Sequence, residues 1–263
     1  MIKLIFFDCD GTLLSHNGMY VPDSTKRAFE LLEAKGIRRV LSTGRHVSEL
    51  KRMPAIGDLR FDAFITINGA CTYDKDGILC SYEIEREDVQ SAYDYLKCHD
   101  LGVEFFEDEE AYVNLVNETV IRSQESIHDE VPHVLPLERI LSHPIYQIVG
   151  YGIRETEGLV SCLNHVRVTR WNASNAVDMV HASAGKESGM EALMKKWGIE
   201  KEETMAFGDA LNDLSMLREA GIGVAMGNSE PALKKAADYV AGDIDADGLY
   251  LALVHFGILD EGE

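Results

Sequence analysis

Asp8 and Asp10 stand two residues apart in Asp8-Cys9-Asp10-Gly11-Thr12, directly after the apolar run Leu4-Ile5-Phe6-Phe7. Alternate residues of an extended chain project to one side, so both carboxylates can face the same point. Side by side they repel unless a cation lies between them. Gly11 allows the backbone to turn away at once. An Asp-Gly pair is also ordinary turn chemistry, but the full DxDGT pattern behind a buried strand is far more specific. Cys9 is the other candidate nucleophile. Its acidic neighbours raise a thiol pKa, and a small residue in a tight turn is the better reading.

Three more places gather groups suited to an anion or a hard cation. Thr43-Gly44 offers a hydroxyl and backbone N–H groups at a helix entrance, a cradle for an anion or a plain helix cap. Lys186, in Gly185-Lys186-Glu187-Ser188-Gly189, sits at a helix start, where a cation opposes the macrodipole and so calls for a partner anion. A P-loop is excluded, because Val180 and Glu187 stand where Gly and Ser or Thr are required. In Gly208-Asp209-Ala210-Leu211-Asn212-Asp213 the two acids are four apart and share a helical face. They suit Mg²⁺ as oxygen donors, or a helix N-terminus. Asp243 to Gly248 imitates the start of an EF-hand loop, but Val254 replaces the required bidentate Glu.

Stretches between these places supply the elements that must position them. Leu4–Phe7 reads as a strand buried on both faces, as in a parallel α/β sheet with chemistry at its carboxyl edge. A helix over 24–35, capped by Asp23 and ended by Gly36, leads to a strand over 37–41. A helix near 47–52 precedes a third strand over 61–67, and Asp74-Lys75-Asp76-Gly77 reads as a hairpin turn. After residue 82 the texture becomes α+β, with a helix over 85–98 and short strands near 112–116, 145–150, 166–170 and 176–180. The βαβ alternation resumes at Lys186, with a helix to 197, a strand over 204–207, a helix over 211–219 and a strand over 222–225. The expected fold class is α/β, with a doubly wound parallel sheet built from 1–82 and 182–263 and an α+β segment, 83–181, inserted into it.

The bulk properties narrow the function. The 263 residues, 46% apolar, suffice for a full core plus a smaller unit. A net charge of −20 disfavours nucleic acid and anionic membrane partners, and no apolar run approaches the ~20 residues needed to span a bilayer. Five scattered cysteines without a CxxC pair fit reduced thiols. With no leader-like start, the expected location is cytoplasmic.

Together the four segments resemble the haloacid dehalogenase superfamily of phosphatases. Asp8-x-Asp10-Gly-Thr-Leu matches its first motif, Thr43 its second, Lys186 its third, and Gly208-Asp209-x-x-Asn212-Asp213 its fourth. The long insert, with Ala225-Met226-Gly227-Asn228 downstream, resembles the Cof-type subfamily with a C2B cap. One departure is Gly-Lys-Glu where that subfamily often has Asn-Lys-Gly. The resemblance implies a Mg²⁺-dependent phosphatase acting on small phosphorylated metabolites, with Asp8 as nucleophile and Asp10 as general acid and base. It implies metal ligation by Asp8, the Asp10 carbonyl and Asp209 with Asp213 in support, and phosphate binding by Thr43, Gly44, Lys186 and Asn212. Arg45 is expected to orient this edge. The inserted cap is expected to act as a mobile lid that sets specificity, with Arg170, Trp171, Asn172 and Asn175 as candidates. A phosphomutase on the same core and a phospho-accepting signalling domain are the alternatives. The first differs only in the acceptor, and Asp10 argues against the second because an acid/base beside the nucleophile promotes turnover.

Overall fold

The computed structural model describes residues 1–127, 130–171, 175–260 and 262. The chain divides into two compact units. One comprises Met1–Arg45, Glu49–Cys80 and Gly185–Glu263, and the other comprises His46–Ser48 and Ser81–Ala184.

In the first unit, strands β1 (Leu4–Phe7), β2 (Arg38–Ser42), β3 (Ala63–Thr66), β4 (Cys71–Asp74) and β5 (Gly77–Ser81) come before the insert. The second unit contributes β6 (Val103–Phe106), β7 (Ala111–Val113), β8 (Gln147–Tyr151), β9 (Val166–Arg170) and β10 (Ala176–His181). The first unit then resumes with β11 (Thr204–Gly208), β12 (Ile222–Ala225) and β13 (Tyr239–Val240). Its sheet has the order β13-β12-β11-β1-β2-β3-β4-β5. The run from β13 to β3 is parallel, and β4 pairs antiparallel to β3. The fold is therefore α/β, a mostly parallel sheet with a short antiparallel edge.

Side chains of β1 alternate between the two faces, and each face has its own core. Ile5 and Phe7 pack with Leu41, Met205 and Phe207 beneath the helices Asp23–Ala34 and Gly248–His255. Leu4 and Phe6 pack with Val40, Ile65 and Ala206 against Met190, Leu193 and Met194 of the helix Lys186–Trp197. All four β1 side chains are fully buried. Burial on both faces explains why this strand is a continuous apolar run.

The second unit holds an antiparallel sheet of order β7-β6-β8-β10-β9. Phe105, Ile148, Val177 and Met179 on one face pack against Val89, Ala92, Leu96 and Leu159 from the helices Arg86–Leu96 and Glu157–Ser161. Register places Glu104, Val149 and Asp178 side by side on the other face. There Tyr151 donates to Glu104 and receives a bond from Gln124. Among the described residues no helix is long and apolar enough to cross a membrane.

Several boundaries differ from those read in the sequence. Asp23 is the first helical residue and no cap: Pro22 precedes it in an extended conformation, and the Asp23 carboxylate pairs with Lys26 at 3.2 Å. It complements the dipole from inside the first turn. The third strand is shorter than 61–67, because Ile67 already belongs to a tight turn, Ile67–Gly69. The helix over 211–219 is a 3₁₀ turn, Leu211–Asp213, followed by an α-helix, Leu214–Glu219.

Candidate active site

Parallel pairing of β2, β1 and β11 brings the residues that follow them to one edge. Asp8 follows β1, Thr43 follows β2 and Asp209 follows β11. The Asp8 amide extends the ladder by donating to the Phe207 carbonyl at 2.9 Å. Beyond it the chain turns sharply, with Leu13 and Leu14 both donating to the Cys9 carbonyl. Gly11 sits in this turn at φ +83°, and an added Cβ would lie 2.2 Å from Asp209 Oδ2. Asn228 fastens the turn from the loop after β12, donating to the Gly11 carbonyl at 2.7 Å.

Lys186 lies fully buried between two carboxylates. Its Nζ is 2.6 Å from Asp8 Oδ1 and 2.6 Å from Asp213 Oδ1. Burial by itself lowers a lysine pKa, but Asp213 and Asp8 outweigh it and hold the ammonium form. The second oxygen of Asp213 accepts the backbone N–H groups of Asp209 and Ala210, at 3.0 and 3.1 Å. Asp213 thus anchors both Lys186 and the turn that carries Asp209. On the other side Arg45 grips Asp10 with two bonds, Nε to Oδ2 and Nη2 to Oδ1, each 2.8 Å. Thr43 Oγ1 is buried and accepts the Arg45 amide at 3.1 Å. Asn212 is exposed and donates to Asn68 Oδ1 at 3.1 Å.

Asp8, Asp209 and Asp213 each offer an oxygen, and these atoms lie within 4.8 Å of one another. Four carboxylates at this edge, with Asp10, face two cations, Lys186 and Arg45. Glu49 also faces Arg45, at 3.7 Å, so the carboxylates outnumber the cations, an excess of negative charge that a divalent ion would offset. The pKa shifts express the same imbalance. Burial, then Asp213, push Asp8 up to about 7 even though Lys186 pulls it down. Burial, then Asp8 and Asp213, push Asp209 up to about 9. Asp209 Oδ1 is buried without a hydrogen-bond partner among the described residues. An orphaned oxygen in an all-oxygen set fits a hard cation such as Mg²⁺. Both Asp213 oxygens are already engaged, which leaves Asp8 and Asp209 as the side chains best placed to hold the ion.

This imbalance has a thermodynamic sign. Asp8 and Asp209 have folded pKa values above the ordinary carboxylate range. The stability they contribute is therefore complete below about pH 4 and is lost as pH rises through about 7 and about 9. A cation that binds the ionised pair restores it. The increase in melting temperature on adding Mg²⁺ to EDTA-treated protein is expected to be larger at pH 8.5 than at pH 6. Scanning calorimetry at the two pH values checks this, and an equal or absent shift contradicts it.

The described second-unit candidates lie at the connection between β9 and β10. Trp171 Nε1 donates to Asp178, and Arg170 is exposed on β9. Asn175 Oδ1 accepts the Ile153 amide at 3.0 Å, so its side chain holds a turn. Asn172 lies outside the described residues. Sequence reasoning missed Asn68, although Asn68-Gly69 behind a β-rich run is a turn signal that could have drawn attention to it.

The comparisons with known proteins agree with this geometry. A family model described as haloacid dehalogenase-like hydrolase matches residues 5–253. The chain is 30% identical over 267 residues to a putative bifunctional phosphatase/peptidyl-prolyl cis-trans isomerase of Streptococcus pyogenes, covering 99% of this chain but only 55% of that longer protein. It is 32% identical to the solved phosphatase BT1666 of Bacteroides thetaiotaomicron, with a TM-score of 0.88 and coverage of 98% and 96% of the two chains. The solved subclass IIB sugar phosphatase BT4131 is also 32% identical, with a TM-score of 0.83 and coverage of 98% and 100%. The chain belongs to the haloacid dehalogenase-like hydrolases, among their Cof-type phosphatases.

Proposed function

We propose that this phosphatase hydrolyses small phosphomonoesters, sugar phosphates or similar polar metabolites, through an aspartyl phosphate on Asp8. The observation that carries the reading is the buried Lys186 bridge between Asp8 and Asp213, beside the unsatisfied oxygen of Asp209. Lys186 holds the Asp8 carboxylate in place and lowers the charge that an incoming phosphate dianion meets. An Asp8 oxygen attacks phosphorus, the P–O bond to the leaving group breaks, and Asp10 supplies the proton that the leaving alkoxide takes. Water then attacks the phosphorus, Asp10 takes its proton, and the P–O bond to Asp8 breaks to release phosphate. Proton delivery requires Arg45 to loosen its two-bonded grip on Asp10, so Arg45 governs when that carboxyl reaches the leaving group. Thr43, Gly44 and Asn212 serve as donors to the non-bridging oxygens. A Mg²⁺ held by Asp8, the Asp10 carbonyl and Asp209, with Asp213 supporting, would supply charge neutralisation at the equatorial oxygens.

Apart from Asp10, which meets the leaving oxygen alone, every group just named reads only the phosphoryl moiety. Choice of leaving group then falls to the inserted unit, for which 83–181 remains the proposed span. The similarity to a sugar phosphatase supports sugar phosphates as the class. The test is a panel of sugar phosphates, nucleotides, phosphopeptides and oligonucleotides with detection of free phosphate. Sugar phosphates are expected to give the highest kcat/KM, and EDTA to abolish release. A preference for phosphopeptides or nucleic acids, or full activity in EDTA, contradicts the proposal. Transfer to a second sugar hydroxyl without free phosphate would favour the mutase alternative.

A further inference from the structure

The turn after β3 is built in an unusual way. Ile67, Asn68 and Gly69 have φ of 53°, 51° and 91°, three consecutive residues in the left-handed region. Glycine adopts it freely and asparagine tolerates it, but a β-branched residue there is an outlier. Ile67 is nonetheless buried at 1% exposure. Such strain persists only where the surroundings over-determine it.

The surroundings here are the phosphate-binding segments. The Ile67 amide donates to the Arg45 carbonyl at 3.1 Å, and the Asn68 amide to the Thr43 carbonyl at 3.0 Å. Gly69 lies against Gly185, the residue before Lys186, so closely that an added Cβ would be 1.9 Å from the Gly185 oxygen. The Asn68 side chain faces Gly44, where an added Cβ would lie 3.2 Å from its amide nitrogen and oxygen. Its oxygen accepts from Asn212. One strained turn therefore touches all the segments assigned to the phosphoryl oxygens.

We propose that Asn68 is a positioning residue of the phosphoryl pocket, setting the side-chain amide of Asn212 and closing the space beside Gly44. The inference rests on the phosphatase reading above. Asn212 stands exposed on a 3₁₀ turn, where an untethered amide samples several rotamers. The bond to Asn68 uses one of its two N–H donors and fixes the plane of the second, which can then meet a phosphoryl oxygen. An exposed amide–amide bond adds little to folding stability. The value of a strained backbone carrying it lies in geometry, where a misplacement of about 1 Å can cost on the order of 100-fold in rate.

The test is a cycle of Asn68→Gly, Asn212→Ala and the double variant. Glycine suits φ near 50°, so the first substitution removes the side chain and leaves the turn intact. Each protein is assayed with p-nitrophenyl phosphate, with orthovanadate as a phosphoryl analogue and with thermal melting. Asn68→Gly is expected to keep the wild-type melting temperature, weaken vanadate inhibition about 10-fold and lower kcat/KM by roughly 10- to 100-fold. In the Asn212→Ala background it should add less than about 2-fold, because the two act as one unit. Unchanged kinetics in Asn68→Gly, or effects that multiply in the double variant, overturn the inference while leaving an active wild type to support the phosphatase reading. A wild-type protein without phosphatase activity overturns both.

Discussion

Asp8→Asn protein is expected to fold normally and to hydrolyse no phosphomonoester, with turnover reduced on the order of 10⁴-fold or more. An amide is a poor nucleophile, and it offers the site a neutral oxygen in place of an anionic one. The substitution keeps an acceptor for Lys186 at nearly the same shape. It also removes a buried charge that Asp213 repels and that burial penalises. The melting temperature in EDTA at pH 8 should therefore equal or exceed that of the parent. Steady-state kinetics and calorimetry check the two halves separately. Retained activity in a folded Asp8→Asn protein would remove Asp8 from the chemistry.

Lys186→Met is expected to damage both stability and catalysis, and the two effects can be pulled apart. The Lys186 side chain is 1% exposed and faces Asp8 and Asp213, which are nearly as buried. Removing the cation leaves two carboxylates uncompensated, a loss on the order of 3–5 kcal/mol. Kcat/KM should fall on the order of 10³-fold, because the charge facing the phosphoryl group is gone as well. Lys186→Met/Asp213→Asn should recover much of the stability, since only one of the two carboxylates that faced the lysine then remains, and none of the activity. A single variant with parental kcat/KM would show that Lys186 is purely structural. A double variant that regained activity would lead to the same conclusion.

The sequence revealed the positions of the site well and the state of its side chains poorly. Asp8, Thr43, Lys186 and Asp209 were legible because each follows or precedes a strongly patterned element, and a parallel sheet sends such positions to one edge. The family resemblance rested on those same positions. The helix over Lys186–Trp197 was read with its observed bounds, since Gly185 before it and Gly198 after it are ordinary end signals. Burial of Lys186 was not legible. A lysine at a helix start reads as exposed, and only the packing of Met190 and Leu193 against the sheet turns that helix end inward. The Arg45 grip on Asp10 joins residues 35 apart and has no local signature. Asn68 was passed over because its role depends on Thr43, Gly44 and Asn212, which meet it only after folding. The second-unit candidates were chosen for their place in loops of the inserted segment, and loop position does not show that the Asn175 side chain holds a turn.

The most direct test of the central claim is a single-turnover reaction with a phosphomonoester labelled in its phosphoryl group, quenched in acid and mapped by peptide. The account predicts label on Asp8, in a linkage cleaved by hydroxylamine as an acyl phosphate should be, and no label in Asp8→Asn protein. Label on Cys9, or on any Ser, Thr or His, would contradict it. So would turnover at the parental rate with no covalent label on the protein.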